Sequence, residues 1–160
     1  MLTEDQIRQV WSGLLGAETR ALYFGDFARR YARRKQVITG CTFFLASGAA
    51  ATLVAKAPAW VPTLFTVVLA LISSYVMAVG LDRKIATLVK LHAAWSQIAH
   101  DYERLWNHTY ADDAEDQLNA IIAREKDPSE LATTDAPYDE PLLEHWQQRV
   151  FQLYHLTDAR

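Results

Sequence analysis

QVITGCTFFLASGAAATLVAKAPAWVPTLFTVVLALISSYVMAVGL, residues 36–81, decides how the rest of the chain is read. Its one formal charge, Lys56, lies beside the turn signal Ala57-Pro58, and uncharged runs flank it at 36–55 and 57–81. About 20 apolar residues at a helical rise of 1.5 Å match a hydrocarbon thickness of roughly 30 Å. Core helices of water-soluble proteins carry a polar stripe, and neither run shows one. The stretch therefore predicts a transmembrane helical hairpin, with spans at about 37–55 and 60–81. The competing reading is a buried helix pair.

Working outward, the 160-residue chain is too short for two full domains. It divides into an N-terminal amphipathic helix at 1–35, the hairpin at 36–81 and C-terminal helices at 82–160. The net charge of −3 conceals a regional pattern of +3 over 1–35 and −7 over 82–160. Basic residues collect just before the apolar stretch, a juxtamembrane pattern and not a nucleic-acid-binding one. The single cysteine, Cys41, excludes an intramolecular disulfide. The opening MLTEDQIRQV lacks the basic and apolar regions of a cleaved signal peptide.

Thr3-Glu4-Asp5-Gln6 reads as a capping box. Ile7, Val10, Trp11, Leu14, Leu15, Leu22, Phe24, Phe27 and Tyr31 recur at three- and four-residue steps. They predict an amphipathic helix to about Arg34, weakened at Gly13, Gly16 and Gly25. Arg29, Arg30, Arg33, Arg34 and Lys35 then precede the first run, and Arg83, Lys84 and Lys90 follow the second. Lys/Arg asymmetry of this kind sets orientation. It predicts both termini in the cytoplasm and the Lys56–Trp60 turn on the far side, with the 29–35 cluster fixing topology, holding lipid headgroups, or both.

Small residues from Gly40 to Ala51 suit close helix approach in the first run. In the second run Thr63, Thr66, Ala70, Ser73, Met77 and Gly80 share a polar or small face, which is either the seam against the first run or, with Thr63, Thr66, Ala70, Ser73 and Met77 as candidates, the lining of a pore. Ser47 is the pore-lining candidate of the first run. Beyond Leu81, Ile85, Leu88, His92, Trp95, Tyr102 and Trp106 follow a heptad rhythm. They predict packing against the N-terminal helix, against other subunits, or both, on one helix of roughly 48 residues continuous with the second span. A short helix follows the acidic run 112–116, then a loop from Asp127-Pro128 to Asp139, and Pro141 opens the last helix at its first position. The expected class is an all-α membrane protein.

No phosphate-binding glycine loop, zinc-binding or nucleophile-elbow motif occurs. The sequence gives no catalytic residue, no metal site, no cofactor and no enzyme. His92, His100 and His108 recur every eight residues, about 12 Å apart and too far for one ion. The acidic run 112–116 reads as an N-cap with acids favoured at a helix start. An alternative is attraction of cations near a pore mouth.

The order of these features resembles the SLATT family, two-transmembrane effectors of bacterial conflict systems. The residues that carry it are Ala21-Leu22-Tyr23-Phe24, the run Ala28-Arg29-Arg30-Tyr31-Ala32-Arg33-Arg34, the two-span hairpin, and Trp95, Tyr102 and Trp106. The resemblance implies a homo-oligomeric, pore-forming effector in the bacterial inner membrane. It would act in antiviral defence, triggered by a separate sensor protein or a nucleotide messenger, with membrane lipids as further partners and no nucleic acid. The alternative from the residues is a non-conducting, membrane-anchored scaffold that recruits a cytoplasmic partner.

Overall fold

A computed structural model describes residues 1–47, 58 and 60–156, and every regular element among them is an α-helix. There are five: α1 (Glu4–Ala46), α2 (Trp60–Val79), α3 (Leu81–Trp106), α4 (Ala114–Asp135) and α5 (Glu140–Leu153). They form two compact units, one of residues 1–28 with 86–160 and one of residues 29–85.

In the first unit α1 starts where its sequence says it should. The Gln6 amide donates to Thr3 Oγ1 at 3.3 Å and the Thr3 amide donates to Gln6 Oε1 at 2.8 Å, which satisfies two orphan donors reciprocally. Glu4 and Asp5 in the first turn oppose the positive end of the helix dipole. The helix then passes unbroken through Gly13, Gly16 and Gly25. Tertiary contacts outweigh their poor propensity. A Cβ on Gly13 would lie 2.5 Å from the Tyr102 ring, and one on Gly25 would lie 3.0 Å from the imidazole of His92. Gly13 and Gly25 are therefore two notches in which α1 receives side chains of the antiparallel α3.

The heptad residues of α3 fill the space this approach creates. Leu88, Leu91, Trp95, Ile98, Tyr102 and Leu105 are all buried, Trp95 to 1% exposure and Tyr102 to 2%. Removing such side chains from water contributes roughly 1.5–3 kcal/mol each. His92 adds a hydrogen bond between Nδ1 and the Ala21 carbonyl at 2.8 Å. Trp11 of α1 stacks near Trp106 with centroids 4.9 Å apart and meets Tyr154, just beyond α5, edge-on at 5.3 Å.

Helix α4 departs from the expected layout. The predicted loop from Asp127 is instead helix, which continues through Pro128 to Asp135. An internal proline costs one hydrogen bond and crowds the preceding turn. Here Pro128 is buried on the same face as Ala114, Leu118 and Ile121, so its ring supplies core contact in return. The real connection is short. It is pinned by the Tyr23 hydroxyl, which donates to the Pro137 carbonyl at 3.2 Å and accepts from the Asp139 amide at 2.9 Å. Asp139 then caps α5 by accepting from the Leu142 amide at 3.1 Å, with Pro141 in the first turn.

The second unit holds the later turns of α1, all of α2 and the start of α3. Lys35 pairs with Asp82. The expected 48-residue continuous helix is broken at Gly80, whose φ of +57° is left-handed and separates α2 from α3. Glycine takes that conformation without the steric cost that a Cβ would add.

The expected hairpin of two spans is corrected. No helix among the described residues is long and apolar enough to cross a membrane. The apolar part of α1 covers only 36–46, on a helix whose earlier turns carry the basic cluster, and residues 48–57, with Lys56, Gly48 and the alanines after it, lie outside the described residues. Helix α2 has no charge, but Thr63, Thr66, Ser73, Ser74 and Tyr75 interrupt its apolar sequence and Gly80 ends it. With the spans go the membrane fold class, the multi-pass inner-membrane placement and the assignment of both termini to the cytoplasm.

The notches set a graded expectation. Gly13→Ala gains about 1 kcal/mol of helix propensity but meets a buried, immovable ring, and overpacking of this kind costs ~1–3 kcal/mol. Its net effect should be destabilising, and Gly25→Ala, facing the half-buried His92, should cost less. Urea unfolding followed by circular dichroism checks the order, and a stabilised Gly13→Ala variant would show that the close approach is not real.

Candidate functional site

The sequence-predicted residues fall into three groups, and the structure separates them by exposure. The oligomer-packing candidates Leu88, Trp95 and Tyr102 are interior to the chain's own first unit, with His92 and Ile85 half-buried. Trp106 keeps 38% exposure while it stacks on Trp11. A second subunit could reach Trp95 or Tyr102 only by unfolding that unit. The heptad rhythm is satisfied by α1, within the chain.

The proposed lining residues behave in the opposite way. Thr63, Thr66, Ala70 and Ser73 are exposed on α2, and Ser47 is half-exposed just past α1. The side chain of Met77 lies outside the described residues. Thr66 Oγ1 donates to the Pro62 carbonyl at 3.0 Å and Ser47 Oγ to the Phe44 carbonyl at 2.6 Å, so both hydroxyls are turned back onto their own backbone. In the basic cluster, Lys35 is paired with Asp82 and the Arg34 guanidinium lies 5.7 Å from the centre of the Tyr31 ring.

Next to the hydroxyl face, α2 carries a feature that the sequence reading passed over. Trp60, Leu64, Val67, Val68, Leu71 and Tyr75 are all exposed, Trp60 and Leu71 to 65% each. At 100° per residue these six positions fall within a stripe about 100° wide, the width of a core-facing helix surface. Trp60, Leu64, Val67 and Leu71 are spaced four, three and four apart, the seam of a two-helix coiled coil. Among the described residues the second unit thus presents an exposed core-type face. Periodicity could have found the stripe, but the reading of this run followed its hydroxyl-bearing face instead.

The first unit contains a cavity of about 440 Å³ between α1, α3, α4 and the Ala136–Tyr138 connection, lined among others by Arg20, Phe24, Trp95, Ser129, Thr133 and Tyr138. A neighbouring cavity of about 340 Å³ between α1 and α5 shares Arg20 and Leu143 with it. Arg20 holds its guanidinium 4.5 Å from the centre of the Trp95 ring. His92 and His100 of α3 and His108 just beyond it go to separate partners: Ala21 O for His92, Glu103 for His100 and Arg104 O for His108. Among the described residues no group of His, Cys, Asp and Glu could hold a metal ion. In the acidic run, Asp113 accepts from Gln117 Nε2 at 2.7 Å and Glu115 accepts from Gln6 Nε2 at 3.3 Å.

Three tyrosines of this unit hold their protons more firmly than usual. Burial raises Tyr102 most, helped by the neighbouring Glu125 carboxylate. Burial and the Glu18 carboxylate push Tyr154 up to about 12, and burial raises Tyr23. A raised phenol favours the folded state below the unfolded value of 10.0 and loses that contribution as pH climbs through the folded value. Stability should therefore hold to about pH 10 and fall between pH 10 and 12 and beyond. Tyr154→Phe should flatten the early part of that fall. Chemical unfolding at stepped alkaline pH measures it, and a fall equally steep in Tyr154→Phe would remove Tyr154 from the account.

Compared with known proteins, the chain matches no family model, no curated protein and no solved structure. The expected membership of the SLATT family is corrected accordingly. Without that membership or a membrane-spanning helix among the described residues, the pore-forming channel, the antiviral bacterial effector and the membrane-anchored scaffold have no support.

Proposed function

We propose that the chain is a helical self-association module and not an enzyme, with a second copy covering the stripe of α2. The observation that carries this is the exposed stripe Trp60, Leu64, Val67, Val68, Leu71 and Tyr75 on a helix with no charged side chain. A contiguous apolar face of this kind marks an interaction surface. Its chemistry narrows the partner. Interface cores are depleted of charge and enriched in aromatic residues, and the complement of an uncharged four-three-four seam is another such seam. The chain itself carries one, and a two-fold axis brings identical patches together. The absence of catalytic motifs from the sequence supports the non-enzymatic part of the reading.

Sedimentation velocity over a range of concentrations tests it. The wild type should sediment as a dimer or larger assembly. The double variant Leu64→Glu, Leu71→Glu should be monomeric with unchanged helical circular dichroism, because burying unpaired carboxylates costs several kcal/mol each. A wild type that stays monomeric at every concentration overturns the proposal. Should that monomer float with phosphatidylcholine vesicles, lipid and not a second copy covers the stripe.

A further inference from the structure

We infer that the cavity beside Arg20 and Trp95 is a binding site for a small organic anion with a flat apolar body. At about 440 Å³ it falls in the size range of small-molecule sites, which are mostly apolar with a few convergent polar groups. Its walls follow that description. Tyr23, Phe24, Trp95, Pro137, Tyr138 and Leu143 supply flat or apolar surface, and Ser129 and Thr133 supply hydroxyls.

Charge chooses the ligand class. Arg20 is the one charged residue among those lining the cavity. Its guanidinium lies over the Trp95 indole, a weak cation–π attraction at an exposed site. Stacking occupies the planar face and leaves the edge N–H groups in a fork that matches a carboxylate or similar oxyanion. Trp95 is itself fully buried, and so holds the guanidinium's platform in place. The Thr133 hydroxyl donates to the Ser129 carbonyl at 2.9 Å, which leaves its oxygen as an acceptor.

The wall opposite is held as well. Tyr23 fixes the Pro137 carbonyl and the Asp139 amide together, so the connection that closes the cavity does not depend on a ligand for its position. An ordered wall and a stacked cation lower the cost of binding, since less must be immobilised when the ligand arrives. Arg20 also borders the neighbouring cavity, so a longer aliphatic tail has room to continue past it toward Leu15 and Phe151.

The test uses 2-naphthoate and its neutral counterpart 2-naphthalenemethanol as probes of the 160-residue chain, by calorimetry and by titration of amide spectra. The carboxylate should bind at least tenfold more tightly than the alcohol. Arg20→Gln should abolish that preference while leaving the alcohol's affinity unchanged. Ala132→Phe, which fills the cavity from α4, should weaken both. Should Ala132→Phe fail to fold, the comparison at the exposed Arg20 still decides. No binding of either probe overturns the inference, as does a carboxylate preference that survives Arg20→Gln. Binding lost in Leu71→Glu but kept in Ala132→Phe would move the probe to the stripe of α2 and equally overturn it.

Discussion

The first unit depends on how closely α1 and α3 approach each other. Two glycines on α1 leave room that no side chain could share with Tyr102 and His92. Everything else in the unit is arranged around that contact. Trp95 becomes the floor on which Arg20 lies, the Trp11–Trp106–Tyr154 cluster closes one end, and Tyr23 ties down the connection to α5. The cavity is a consequence of the same geometry. It remains where α4, kept helical through a buried Pro128, stands off from the α1–α3 pair.

The second unit is held on different terms. Lys35 and Asp82 pair within it, and large apolar side chains are exposed along α2. In water an exposed stripe of that width is costly, at roughly 25 cal/mol per Å² left uncovered. The two units therefore have complementary roles in one chain. One is a finished core with a cavity, and the other carries a face whose free energy falls only when something apolar lies on it.

Much of the helical framework was legible in the residues themselves. The Thr3–Gln6 capping box, the amphipathic spacing along α1 and the heptad rhythm of α3 each depend on neighbours within a few turns, and short-range chemistry decides them. The partner of the heptad was less legible, because spacing shows that a face will be covered but not by what. Gly13 and Gly25 were read as weak points, whereas their missing Cβ atoms are the reason α3 fits. Gly80 was read as one more small residue on a helix face, although its left-handed φ ends α2. Pro128 was read as a loop signal, and the tertiary burial of its ring overrode that local preference. The cavity could not be foreseen, since Arg20, Trp95 and Thr133 come from three helices far apart in sequence. The membrane reading took the length of two uncharged runs, 36–55 and 57–81, and their lack of a polar stripe as sufficient. The described helices do not meet the requirement of length and apolarity together.

The central claim is that α2 pairs with its copy through one particular face, and cysteine cross-linking reads that face directly. In a Cys41→Ser background, Leu71→Cys places a thiol in the stripe and Ser73→Cys places one about 160° away around the helix. Paired helices lie 8–10 Å apart, within reach of a short bis-maleimide. The account predicts a covalent dimer from Leu71→Cys and little or none from Ser73→Cys. Equal cross-linking from both positions, or dimer from Ser73→Cys alone, would contradict it.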